Sequence, residues 1–346
     1  SQILLAACVA ASVMFLQAIY WKLVAGEWIV YSYEDQGFTW FPPHIEDVFW
    51  SAKAGWLVYA PIMIFAVVGH FMLMKKLPEL FPVIFIYCLA ALWITSAWDI
   101  WWYGGSLGQR AMVQSYPLWA FALGAFWQWA GQRNLRRWVF SGLAVVFIYL
   151  NLWWCHQAHY GGLFVAEQMT RRYMIKVLGR FDAERDWLKF LDTRDEFTGN
   201  DRRDIKPLFA ENFDRDTTGA TSSESPVSGI RSLIIDSARP FSPAYNIKSP
   251  GSDYPWIRAT ATFQCSQKEW EWWAMTQFII RFKSGDQIVK DRMVRLQRHI
   301  DGSEIKTLFF DTKAPKKPYD HLEVLFWNPG SNTTVKIDEL QVEAFR

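Results

Sequence analysis

Cysteine is scarce, with four among 346 residues, at positions 8, 88, 155 and 265. None stands in a CxxC or Cys/His spacing, so neither a disulfide framework nor a metal centre is expected to organise the chain. Walker, GxSxG and Rossmann glycine patterns are also missing. The 36 basic and 34 acidic residues nearly cancel to a formal charge of +2. No basic stripe with interleaved aromatics stands out, and nucleic acid is not expected as a partner. Ionisable residues are almost absent from the apolar runs of the first 160 residues, which argues against a proton pump or an ion transporter.

What is abundant is apolar and aromatic surface, at 51% and 17% of the residues. It is unevenly placed. Five segments, about 3–25, 53–74, 80–100, 111–130 and 138–158, reach the roughly 20 predominantly apolar residues needed to cross about 30 Å of hydrocarbon and are expected to span the membrane. Lys75 and Lys76 occupy one short loop between them, and Arg133, Arg136 and Arg137 another. The bias of Lys and Arg toward cytoplasmic loops puts both of these inside. Loops 26–52 and 101–110 then share the outer face with everything after the fifth span, and Lys53 and Arg110 are the outer-side exceptions. Trp50, Trp56, Trp98, Trp101, Trp102, Trp153 and Trp154 gather at the outer ends, where indoles form a headgroup belt or stack on sugar faces.

Beyond the fifth span, residues 161–191 carry helical periodicity, with Met174, Val177, Leu178, Phe181, Leu188 and Leu191 on one face. This reads as an amphipathic helix, lying on the membrane or packed against the soluble part. Residues 192–229, rich in Asp, Ser, Thr and Gly, read as a linker with at most one short element. From Arg231 the period becomes two, predicting strands at 231–236, 256–264, 275–283, 287–297, 304–310, 321–327 and 334–345. The expected fold is therefore an α-helical membrane domain over 1–160 followed by an all-β antiparallel sandwich over 230–346.

The outer face concentrates polar chemistry. Loop 26–56 bears Glu34, Asp35, His44, Glu46, Asp47 and Lys53. The stretch WWYGGSLGQR, 101–110, has Gly104, Gly105 and Gly108 followed by Gln109 and Arg110. Glycines let backbone N–H groups approach an anion, and a guanidinium at a helix start can grip phosphate oxygens. Equally, the glycines can simply turn the chain while Arg110 reaches to the interface. His156 and His159 lack a third ligand.

Lys53, Gly55, Trp56, Leu57, Tyr59 and Pro61, followed by Trp101, Tyr103, Gly104, Gly105, Ser106, Gly108 and Arg110, resemble bacterial members of the GT-C superfamily. These are integral-membrane glycosyltransferases related to the protein mannosyltransferases. The resemblance spans roughly residues 15–130. It implies a polyprenyl-phosphate sugar as donor, action on the non-cytoplasmic side of the inner membrane, and a carboxylate as base to the acceptor. Basic groups would stabilise the departing phosphate. Arg110, Gln109, Lys53, Gly104 and Gly105 would hold the lipid phosphate, and Glu34, Asp35, His44 and Glu46 would line the acceptor side. Family members have more spans and place their acidic catalytic motif upstream, so the resemblance implies either the C-terminal part of a longer enzyme or a reduced relative without catalysis, and assigns no catalytic residue. Ile337, Asp338, Glu339 and Leu340 resemble the closing strand of jelly-roll modules attached to carbohydrate-active proteins. The alternative is a non-catalytic membrane subunit whose sandwich docks on other subunits or binds glycans.

Overall fold

The structure, a computed structural model, describes residues 2–31, 33, 36–199, 201–215 and 220–346. The helical half consists of α1 (Gln2–Ala25), α2 (Ile45–Trp50), α3 (Trp56–Tyr59), α4 (Met63–Lys76), α5 (Phe81–Ala97), α6 (Tyr116–Ala130) and α7 (Asn134–His156). Long apolar runs make these helices, and prolines divide them. The expected span 53–74 is broken at Pro61 into α3 and the 14-residue α4. The expected span 111–130 starts as a 3-10 turn, Arg110–Ser115, and becomes α-helical where Pro117 needs no intrahelical donor.

The uniform five-span layout is therefore not confirmed. Among the described residues one helix, Asn134–Gly161, is long and apolar enough to cross a membrane, while Ala11–Ala25 and Phe81–Ala97 are shorter apolar stretches. At 1.5 Å per residue, α4 extends only about 21 Å.

The packing nevertheless fixes which helix ends lie together. Lys76 Nζ, at the end of α4, donates to Gln128 Oε1 near the end of α6 at 2.7 Å. Arg136 stacks on Trp129 at 4.5 Å. Both basic loops thus share one pole. At the other pole Trp56 Nε1 donates to the Tyr116 hydroxyl at 3.1 Å, and Asn151 Nδ2 donates to the Tyr59 carbonyl at 2.6 Å. The Asp99 carboxylate accepts there from Gly37 N–H at 3.0 Å and the Thr39 hydroxyl at 2.7 Å. α4 and α6 touch backbone to backbone, because a Cβ on Gly69 would stand 2.0 Å from the Ala122 carbonyl oxygen. Small residues allow such approach.

The single amphipathic helix expected over 161–191 is replaced by two short pieces, α8 (Arg171–Val177) and a 3-10 turn, Arg185–Leu191. Thr170 caps α8 by accepting from Tyr173 N–H at 3.2 Å, and Gly179 at φ +75° turns the chain away after it. Tyr173, Val177, Phe190 and Leu191 are buried against Tyr59, Trp153, Trp154 and Phe164. Val177 and Leu191 of the expected apolar face pack on the helical half with Met174 and Leu188 partly buried beside them, whereas Leu178 and Phe181 are 50% and 67% exposed.

Ten strands follow among the described residues: β1 (Lys206–Glu211), β2 (Thr221–Ser222), β3 (Ser232–Ile235), β4 (Tyr245–Lys248), β5 (Trp256–Cys265), β6 (Gln277–Ser284), β7 (Gln287–Arg295), β8 (Ile305–Lys313), β9 (His321–Trp327) and β10 (Val335–Phe345). β1 and β2 fall within the expected linker. One sheet runs β2-β3-β10-β5-β8, with β1 also on β10, and the other runs β4-β9-β6-β7. All pairings are antiparallel. From β3 onward the chain changes sheet at each connection except the β6–β7 hairpin, which fits a jelly-roll sandwich. β5 alternates half-buried and buried residues along its whole length. Its inward Phe263 meets Phe278 and Phe326, whose rings stack at 4.8 Å.

Candidate functional site

The sandwich is seated on the helical half through segment 185–196. The Asp192 side chain is fully buried between Arg295 and Arg298, and accepts from the Arg295 backbone N–H at 2.9 Å. Asp195 receives Lys290 Nζ at 2.5 Å, the Thr312 hydroxyl at 3.0 Å and Lys313 N–H at 3.1 Å. Arg298 also donates to Gln168 Oε1. These contacts hold β7 over the pole that carries the 26–56 and 101–110 loops.

Between the two lies a cleft of about 730 Å³. Its helical wall is Asp47, Ser51, Lys53, Trp101 and Trp102. Its side is formed by 167–170 with Asp192 and Arg194. Trp272, from the β5–β6 loop, and Asp291, Arg292, Met293 and Arg295 of β7 close it. Lys53 Nζ sits 3.3 Å from the centre of the Trp102 ring, and the Arg295 guanidinium 5.0 Å from that of Trp272. Lys53 lies in the turn before α3. Burial draws its pKa below the usual lysine value and Arg194 adds to this, while Glu167 and Asp47 oppose it. Neither Lys53 nor Arg194 has an ion-pair partner among the described residues. Both therefore remain available to an anion.

The predicted site residues separate in space. Lys53 lines the cleft. His44 caps α2, its ring centre 6.3 Å from that of Trp101 and its Nδ1 3.8 Å from Asp47 Oδ2. Gln109 is buried and supports the cleft from behind, donating to the Trp101 carbonyl at 3.1 Å. Arg110 is exposed and does not line the cleft, and Glu46 is exposed outside it. Glu34 and Asp35 lie outside the described residues.

Gly104 and Gly105 serve packing. Cβ atoms there would stand 3.6 Å from Glu167 Oε1 and from Ala166 Cβ. Tyr103, Gly104 and Gly108 have φ of +53°, +63° and +62°, so the backbone makes a left-handed corner against segment 163–167. The corner thus runs beside Glu167 on the cleft rim, while Arg110 beyond it is exposed and outside the cleft lining.

Sequence reading missed Glu167, Arg194 and Trp272 as site residues. The run WEWW at 270–273 was the available signal, since Trp270 and Trp273 remain 78% and 57% exposed.

No protein-family model and no curated protein matches the sequence. Solved structures similar to the β domain include a family 16 carbohydrate-binding module, 12% identical, covering 35% of this chain and 82% of that one with a TM-score of 0.25. Another is the CBM22-1 xylan-binding domain of Paenibacillus barcinonensis Xyn10C, 11% identical, covering 41% and 96% with a TM-score of 0.27. A cyclase from Fischerella sp. TAU is 13% identical, covering 36% and 69% with a TM-score of 0.24. At scores this low the likenesses carry no argument, and the sandwich rests on its own strand pairing.

Proposed function

We propose that the chain is a multi-pass membrane protein whose sandwich and outer loops together bind a glycan bearing negative charge on the non-cytoplasmic face. The observation that carries this reading is the cleft itself: indoles that suit the apolar faces of sugars stand beside two unpaired cations. Membrane embedding is supported by the outward surfaces of α1, α5 and α7, where Leu16, Leu23, Val83, Ile86, Val145 and Leu152 are each more than 60% exposed. So continuous an apolar surface calls for lipid or a partner. The clustering of Lys75, Lys76, Arg133, Arg136 and Arg137 at one pole supports a periplasmic or extracellular cleft at the other.

A second reading, sugar transfer from a polyprenyl-phosphate donor, is favoured by Asp47 and Glu167 bordering the same cleft as Lys53. A carboxylate there would take the acceptor hydroxyl's proton as the acceptor oxygen bonds to the sugar's C1. The C1–O bond to phosphate would break, with Lys53 stabilising the leaving group.

The test compares variants of the full chain in detergent for binding to charged and neutral oligosaccharides. Trp102→Ala and Lys53→Met should each weaken binding of the charged ligand about tenfold, the loss expected for one charge-assisted contact, and Arg110→Ala should not. Equal affinity in all four proteins would defeat the assignment. Conversion of a labelled polyprenyl-phosphate sugar by the unaltered protein, lost in Asp47→Asn or Glu167→Gln, would favour transfer. A membrane-impermeant thiol reagent added outside should reach Ser106→Cys and not Asn134→Cys; the reverse pattern would overturn the orientation.

A further inference from the structure

A separate cavity of about 380 Å³ opens among α4, α5 and α6, away from the cleft. Val67, Phe81, Cys88, Leu92 and Trp119 line it, and its surface is almost wholly apolar. Phe71 and Leu89, on its rim, are 70% and 51% exposed, so the cavity opens sideways through the outer surface of the helices. Its size falls within the roughly 300–1,000 Å³ usual for small-ligand pockets.

One polar side chain interrupts this lining. His70 is only 6% exposed, and its ring lies edge-on to Trp119 with centres 4.7 Å apart. Its Nδ1 lies 3.1 Å from the Ala66 carbonyl oxygen, one helical turn back. A carbonyl oxygen only accepts, so Nδ1 carries the proton, and in the neutral ring Nε2 is then an acceptor. That Nε2 is buried and has no hydrogen-bond partner among the described residues. Leaving a buried acceptor unmet costs about 1–3 kcal/mol. The other polar group at this wall is already used, since Trp119 Nε1 donates to the Ser115 hydroxyl at 3.1 Å.

We infer that the cavity is a binding site for a lipid whose apolar chain carries a hydroxyl group, the chain filling the apolar lining and the hydroxyl donating to His70 Nε2. An unsubstituted acyl chain would fill the space and leave the acceptor unmet, so the site discriminates by one hydrogen bond. The inference is independent of the glycan reading, because no residue of the cleft takes part.

The full chain in phosphatidylcholine nanodiscs is equilibrated with an equal mixture of 12-hydroxystearate and stearate, and the acid retained by the released protein is read by native mass spectrometry. The unaltered chain should retain the hydroxy acid about fivefold in preference, the ratio given by one ordinary hydrogen bond. In His70→Leu the two acids should be retained equally. Equal retention of the two acids by the unaltered chain, retention of neither, or a preference that survives in His70→Leu would each overturn the inference.

Discussion

Replacing Asp192 with asparagine keeps the shape of the side chain and removes only its charge. The structure makes that removal severe. The Asp192 side chain is completely buried, and the Arg295 and Arg298 side chains facing it are 10% and 7% exposed. Both Nε atoms lack hydrogen-bond partners among the described residues, and burial already holds the Arg298 guanidinium below its usual pKa. Breaking a buried pair from one side costs about 3–5 kcal/mol, because the remaining charge stays desolvated. The Gln168 contact and the Trp272 ring offset part of this, so a loss of at least about 3 kcal/mol is expected. Urea unfolding of the full chain in detergent reads the loss, and hydrogen exchange locates it in 185–196 and β7. Adding Arg295→Met to Asp192→Asn should restore part of the stability, since one orphaned charge is then gone. A loss below about 1 kcal/mol, the level of an exposed pair, would refute the reasoning.

Gly69→Ala should destabilise the helical half by about 1–3 kcal/mol, because the new methyl meets the Ala122 carbonyl, which cannot yield. Gly142→Ala, where a Cβ meets nothing, should stabilise by about 0.5–1 kcal/mol, and thermal melts of the pair give the contrast. Lys53 supplies a pH dependence. Its folded pKa lies below 10.5, so in the window between the two the unfolded chain binds more protons, and stability rises with pH there. Binding of an anionic glycan should fall across the same window as the ammonium is lost. Titration calorimetry should show that fall abolished in Lys53→Arg.

Much of the sandwich was legible because period-two burial leaves a direct imprint on sequence. β9 coincides with the predicted 321–327, and β5 and β10 differ from prediction by a residue. The missed strands β1, β2 and β4 are two to six residues long and pair along the edges of β10, β3 and β9; β1 and β2 show no alternation of apolar and polar residues, and in β4 it runs over only four. In the helical half hydropathy found the apolar runs, but proline chemistry at Pro61 and Pro117 decided their breaks. Periodicity put Val177 and Leu191, which share one buried cluster, on a single face with Leu178 and Phe181, which are exposed. What it could not give was the partner, Trp153 and Trp154, or the turn at Gly179. The candidate site was legible only at Lys53. Glu167 and Trp272 reach it through contacts separated by more than a hundred residues, whereas Gln109 and Arg110, adjacent in sequence, point to opposite environments.

β10 bonds to β1, β3 and β5 along its length. It is also made after all of them. A growing chain therefore presents three strands with unmet edges until residues 335–345 arrive, and this part of the molecule must mature as a unit once its whole length has emerged. A chain stopped short of residue 335 would leave open sheet edges, prone to pairing with other chains.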